Sequence, residues 1–187
     1  DADAVAADGD REAGASDEAV SPRAATPETD ADEPDVYVHG DDALTVVIAG
    51  SGAGERAEAF ARAAGLPLLA EVVSGARFGR EAIAAYATLL DDPSVGGLVE
   101  RAIVFGHPTL TRQVPALLKR DDAEVVVIDP HSDAEHYDPS RAARVVRGAV
   151  VAAHHDPRSL RRWLRPWVAR RRHVVAARAP RPHPVHR

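Results

Sequence analysis

Cysteine is absent from the 187 residues, which excludes disulfides and thiol chemistry. Methionine is absent too, even at position 1, and this reads as an internal piece of a longer chain. No asparagine occurs, and Lys119 is the single lysine. No apolar run reaches the roughly 20 residues that a membrane-spanning helix needs. The acidic start has neither the charge nor the apolar stretch of a secretory signal, so a cytoplasmic setting is expected.

What is present is distributed unevenly. The net charge is −6, yet residues 1–42 carry fourteen Asp and Glu against Arg11 and Arg23, and residues 158–187 carry ten arginines and no acid. Large apolar side chains are nearly missing before Val36. Such a stretch cannot bury enough surface to offset its ordering entropy, so residues 1–42 read as a disordered acidic linker.

The pattern changes at residue 43. Leu44-Thr45-Val46-Val47-Ile48-Ala49 is an apolar run of strand length, closed by Gly50-Ser51-Gly52-Ala53-Gly54. Ala57, Phe60, Ala61 and Ala64 then share one helical face, and Gly65 ends it. Further strands are expected at 66–70, 102–105, 124–128 and, more weakly, 144–147. Helices are expected around Ile83–Leu90 and Val114–Leu118. Continuous apolar strands alternating with helices predict a Rossmann-like, doubly wound parallel sheet of five to six strands over residues 43–155. Asp156-Pro157 reads as a helix start, an N-cap followed by proline in the first turn. Leu160, Trp163, Leu164 and Trp167 would share a face of that short helix, Pro166 makes its end doubtful, and a disordered basic tail is expected from Arg170.

Several residue groups invite a function. Gly50, Gly52 and Gly54 lie where a dinucleotide fold cradles pyrophosphate, and Glu71 stands roughly 20 residues on, where a ribose-binding acid would be. Their spacing is GxGxG rather than GxGxxG, and a tight strand-to-helix turn that binds nothing is the better reading. His131 and His136, and the adjacent His154 and His155, lack a zinc-ligand spacing and read as solvated. The acidic loop 129–138 lacks the glycine and final glutamate of a calcium loop. The arginine-rich end has no aromatic residue after Trp167, so no nucleic-acid partner is assigned. Arg77 and Arg112 each follow a strand, at the sheet edge where α/β proteins bind ligands, and could hold a carboxylate.

Four stretches carry a resemblance: Leu66-Pro67-Leu68-Leu69-Ala70-Glu71-Val72-Val73-Ser74-Gly75-Ala76-Arg77, Ala84-Ala85-Tyr86-Ala87-Thr88-Leu89-Leu90, Val104-Phe105-Gly106-His107-Pro108-Thr109-Leu110-Thr111-Arg112-Gln113-Val114, and Val127-Ile128-Asp129 leading to Tyr137-Asp138-Pro139-Ser140. The run 47–54 joins them. In this order they resemble the middle domain of the menaquinone-pathway synthases that make 2-succinyl-5-enolpyruvyl-6-hydroxy-3-cyclohexene-1-carboxylate. The resemblance implies a transferase that adds decarboxylated 2-oxoglutarate to isochorismate, using thiamine diphosphate and Mg2+ or Mn2+. Both cofactors would sit between the first and third domains of a homo-oligomer. It implies that this middle domain holds no nucleotide, metal or catalytic residue, and is inactive alone. Gly40-Asp41-Asp42 does not match the family's metal–diphosphate motif. Arg112 matches a basic residue that reaches toward substrate carboxylates, and Arg77 matches an arginine closing the segment after the second strand. Thr109 or Thr111 is expected to cap the helix after Arg112. The alternative reading is a stand-alone dinucleotide-binding module.

Overall fold

In the computed structural model, the described residues are 35–131 and 136–177; among these, the side chains of Pro157, Ser159, Leu160 and residues 171–177 are left aside. The strands are β1 (Val36–His39), β2 (Thr45–Ala49), β3 (Leu68–Ala70), β4 (Arg101–Phe105), β5 (Glu124–Ile128), β6 (Arg144–Val146) and β7 (Gly148–Val151). The helices are α1 (Glu55–Ala64), α2 (Tyr86–Leu90), α3 (Gln113–Leu118) and α4 (Pro157–Ala177), with a 3-10 turn at Gly96–Leu98.

The main sheet is parallel and runs β3-β2-β4-β5-β6. This is a doubly wound order in which the chain switches direction between β2 and β4. Every residue of β2 is buried, as are all of β4 and β5 after their first residues. Side chains on both faces of these strands are therefore covered, as their unbroken Val/Ile runs predicted. Gly65 ends α1 in the left-handed conformation, φ 71°, with its N–H donating to the Ala61 carbonyl.

The second expected helix begins only at Tyr86, since Ala82 and Ile83 bond back to Leu68, and the two ends of the domain also differ from the sequence reading. Val36–His39, inside the stretch read as disordered linker, is a strand that pairs in parallel with β7, Val36 to Gly148 through His39 to Val151. Four residues give too short a pattern to see, and the partner strand lies more than a hundred residues away. At the other end, α4 continues through Pro166 to Ala177, where a disordered tail was expected from Arg170. It starts as read: Asp156 Oδ1 accepts the Arg158 N–H at 2.9 Å. Trp163 and Trp167 are buried in the same core as β2 and β4, and Trp163 Nε1 donates to the Thr45 carbonyl at 2.8 Å. That packing carries the helix past a proline that removes one intrahelical bond. The disorder expected for residues 1–34 and 178–187 falls outside the described residues.

The small β1–β7 sheet brings a histidine indoors. His39 is fully buried, its ring 5.0 Å from that of His155 and 6.2 Å from Phe60, with Tyr37 Oη 3.3 Å from its Nδ1. Its Nε2 has no hydrogen-bond partner among the described residues. Burial above all, and then the neighbouring His155, push its pKa down to about 4, against a smaller opposing effect of Asp41. A base whose folded pKa is depressed takes up its proton first in the unfolded chain. Its contribution to stability is therefore full above about pH 6.5 and is lost as pH falls toward 4. We expect unfolding free energy to drop by about 2 kcal/mol from this group between pH 7.5 and 5. Urea titrations at the two pH values, compared with His39→Phe, check this; the variant should lose that part of the pH dependence.

Candidate functional site

The carboxyl edge of the main sheet is where a doubly wound domain would hold a ligand, at the switch between β2 and β4. Here the switch point is closed by backbone. Ser51 and His107 exchange both N–H···O bonds, at 3.0 and 2.8 Å, and Gly50 N–H donates to the Phe105 carbonyl. A Cβ on Gly50 would stand 2.1 Å from the Pro108 nitrogen, and one on Gly106 2.3 Å from the Ser51 carbonyl oxygen. The Ala53 and Gly54 N–H groups go to Gly50 and Ser74 carbonyls. The first turn of α1 carries Glu55 and Glu58, the wrong sign for a phosphate. Gly50 thus serves loop-to-loop packing, Gly52 and Gly54 turn the chain at positive φ, and the Gly50, Ser51, Ala53 and Gly54 N–H groups donate to backbone carbonyls.

Glu71 has a different task from the one its position suggested. It is buried, and both carboxyl oxygens accept backbone N–H groups of the loop after β4: Thr109 at 3.0 Å and Leu110 at 2.7 Å. This bond spans from the end of β3 over β2 to the far side of the switch point. Sequence spacing could not separate this from a ribose contact, since both place an acid after the second strand of the doubly wound unit.

Tyr86, which sequence reading used only as a helix-face marker, ties the same loop from the other side. Its hydroxyl lies 2.7 Å from Thr111 Oγ1. Burial raises its pKa first and Glu71 adds to this, while the bond to Thr111 and the charge of Arg77 oppose it. Thr111 is therefore engaged with Tyr86 and does not cap α3; no side-chain cap is made there, and Arg112 itself takes the N-cap place in a helical conformation. Thr109 offers its backbone N–H to Glu71.

Both predicted arginines lie at this edge. Arg77 is exposed in the loop after β3 and near enough to Tyr86 to act on its ionisation. Arg112 is exposed at the start of α3, next to the Thr111 that Tyr86 holds. Neither guanidinium has an ion pair or hydrogen bond among the described residues. By contrast Arg101, at the opposite edge, is held by Asp41 and Glu124 and lies 5.7 Å over the Tyr37 ring. Around the two free arginines the loops expose large apolar side chains: Val72 at 66%, Val73 at 52%, Phe78 at 47% and Leu110 at 56%.

The histidine pairs do not assemble into a metal site. His131 and His136 line a hollow of about 180 Å3 with Arg56, His107 and Tyr137, whose ring is 4.8 Å from that of His107. His155 Nε2 lies 3.1 Å from the Ala64 carbonyl oxygen, a structural contact. Among the described residues no three His, Asp or Glu side chains come together as metal ligands would, and no helix is long and apolar enough to cross a membrane. In loop 129–138, Asp129 and Asp138 accept backbone N–H groups of their own turns.

These features define a doubly wound α/β domain with a closed switch point and a carboxyl edge that exposes apolar side chains and arginines. Comparison with known proteins makes this more specific, although no family model matches. The chain is similar to the 2-succinyl-5-enolpyruvyl-6-hydroxy-3-cyclohexene-1-carboxylate synthase of Leifsonia xyli, 53% identical over 135 residues, 71% of this chain and 23% of the relative. It is 38% identical over 133 residues to the synthase of the same name from Renibacterium salmoninarum, 71% of this chain and 24% of that one. With the synthase of an Arthrobacter species it shares 42% over 127 residues, 66% of this chain and 21% of the relative. This chain is a homologue of a segment of the 2-succinyl-5-enolpyruvyl-6-hydroxy-3-cyclohexene-1-carboxylate synthases, and the match spans about a quarter of their length.

The Glu71 bridge generates a test. Glu71→Gln keeps the shape but turns an amide N–H2 toward one of two backbone donors. We expect a loss of about 2 kcal/mol of stability, measured by urea unfolding. Unchanged stability would mean the carboxylate is held for a ligand rather than for the loop.

Proposed function

We propose that this chain is the middle domain of a thiamine-diphosphate-dependent 2-succinyl-5-enolpyruvyl-6-hydroxy-3-cyclohexene-1-carboxylate synthase, a cytoplasmic transferase of menaquinone biosynthesis. The observation that carries the proposal is the 53% identity confined to a stretch equal to 23% of the relative. In this reading the thiamine diphosphate and its Mg2+ or Mn2+ are held by the first and third domains, in a homo-oligomer. What supports this division is that the Ser51, Ala53 and Gly54 N–H groups at the switch point already donate to backbone carbonyls. The domain's own contribution is a wall. Its exposed Val72, Val73, Phe78 and Leu110 pack on the neighbouring domains, and Arg112, with Arg77 beside it, faces the carboxylates of the dianionic substrates isochorismate and 2-oxoglutarate.

The physical support is that Arg112, without an ion pair among the described residues, follows a loop that is held from two sides. Glu71 fixes the backbone at 109–110 and Tyr86 fixes Thr111, so Arg112 is presented from a stiff base. A cation presented this way loses little entropy when it binds a carboxylate. The alternative, a stand-alone dinucleotide module, would need the amides that Ser51, Ala53 and Gly54 have already committed.

Two outcomes follow. The isolated chain, given thiamine diphosphate, Mg2+ and 2-oxoglutarate, should release no carbon dioxide above a blank; measurable turnover overturns the wall reading. In a full-length synthase carrying this domain, Arg112→Ala should lower kcat/KM by roughly tenfold to a hundredfold, the worth of one charge-assisted contact, with the fold intact. Steady-state kinetics with each substrate varied in turn checks this. Unchanged values for both would remove Arg112 from the site.

A further inference from the structure

A second concentration of unpaired positive charge lies away from the carboxyl-edge loops. Arg158, Arg161, Arg162 and Arg165 stand on α4 at positions i, i+3, i+4 and i+7, so they form one stripe, and all four are exposed. None has an ion pair among the described residues. Local electrostatics oppose the arrangement twice. Like charges three and four residues apart repel along a helix. The stripe also occupies the first turns of α4, the positive end of the helix dipole; the Asp156 carboxylate caps that end, and the first turn itself carries no acid.

The stripe forms one wall of a groove of about 990 Å3. The other wall brings Arg62 from α1 and Arg80 from the loop after β3, so three separate parts of the chain contribute cations. Arg62 is shared with Glu58 at 3.2 Å, and Arg80 stands 3.9 Å from Glu81. The Glu81 carboxyl is buried and its Oε2 has no hydrogen-bond partner among the described residues. Leu164 and Val168 add apolar surface to the lining, and no aromatic side chain lines the groove.

We propose that this groove is a docking site for an acidic polypeptide segment of a partner protein. Arginine, unlike lysine, offers a planar fork that matches a carboxylate with two parallel bonds, and every cation here is arginine. The spacing along α4, about 10 Å from Arg158 to Arg165, suits successive side chains of an extended peptide. Leu164 and Val168 give its methylenes a surface to lie on. Nucleic acid fits less well. There is no ring for a base to stack on, and the chain as a whole, at −6, repels a polyanion at long range. A short peptide feels mainly the local stripe, since at physiological salt charges more than about 8 Å away are screened.

The test uses the full chain and a fluorescein-labelled glutamate decapeptide, with a labelled duplex DNA of about the same charge as comparison. Fluorescence anisotropy at about 25 mM salt should show saturable peptide binding that weakens at least tenfold by about 200 mM. Arg161→Glu with Arg165→Glu should weaken it by roughly tenfold or more at low salt, while Arg147→Glu, an exposed arginine elsewhere, should leave it within about twofold. Circular dichroism of the double variant should match the parent, because the exposed stripe takes no part in the core. Absence of peptide binding at low salt would overturn the proposal. So would binding that the double variant retains, or DNA binding tighter than peptide binding.

Discussion

Two loops meet over the carboxyl ends of β2 and β4 with no room for a side chain between them. A Cβ on Gly50 would fall 2.1 Å from the Pro108 nitrogen, so glycine is required there by contact rather than by conformation. The approach lets Ser51 and His107 pair as a bridge, and it holds the chain leaving β4 against the start of the turn into α1. Glu71 then reaches the same β4 loop from the end of β3, and Tyr86 takes hold of its Thr111. Loops after two strands and the start of α2 are thereby fastened to one short segment, 107–112. Leu110 and Arg112 are presented from that fastened segment, and Val72, Val73, Arg77 and Phe78 from the 72–78 loop.

The distribution of arginines separates structural from available charge. Arg101 is gripped by two acids at the amino edge, Arg120 by Asp122 with further bonds to the Gly96 and Gly97 carbonyls, and Arg170 by Asp92 and Ser94. Arg101 ties β4 to β5 and to the loop before β2, Arg120 ties the loop after α3 to the Gly96–Gly97 turn, and Arg170 ties α4 to the turn at Asp92 and Ser94. Arg77, Arg112 and the stripe on α4 have no such partners among the described residues. An unpaired exposed arginine costs little in water, so any one of them alone would mean nothing. Here one set lies among exposed apolar loops and the other on the walls of one groove, and each placement gives the free charge something to act upon.

Much of the sheet was legible in the chain. The predicted strand 124–128 matches β5 residue for residue, and β2, β3, β4 and β6 lie within two residues of their expected ends. Unbroken Val/Ile runs between helical stretches have few other solutions, because both faces must be covered. The second expected helix shrank to the five residues of α2, since the residues before Tyr86 run as a connection in which Ala82 bridges back to Leu68 and the Ile83 N–H bonds to the Leu68 carbonyl. The 36–39 strand was invisible because four residues carry too little pattern, and its stability comes from β7 and from His39 packing on Phe60. The end of α4 was misjudged because propensity at Pro166 and a run of arginines argue against a helix, while two buried tryptophans argue for it only once the core exists.

At the site the division has the same cause. By itself the sequence determined that strands and helices alternate, that the glycine spacing is wrong for a dinucleotide, and that Arg77 and Arg112 follow strands. All of these are properties of neighbours along the chain. Only tertiary structure decided what Glu71 does, that Thr111 answers to Tyr86 instead of capping α3, and that the arginines of α4 face Arg62 and Arg80 across a groove. The partners in each case are 25 or more residues apart, and hydrogen bonds and charges act over a few ångströms of space, whatever the distance along the chain.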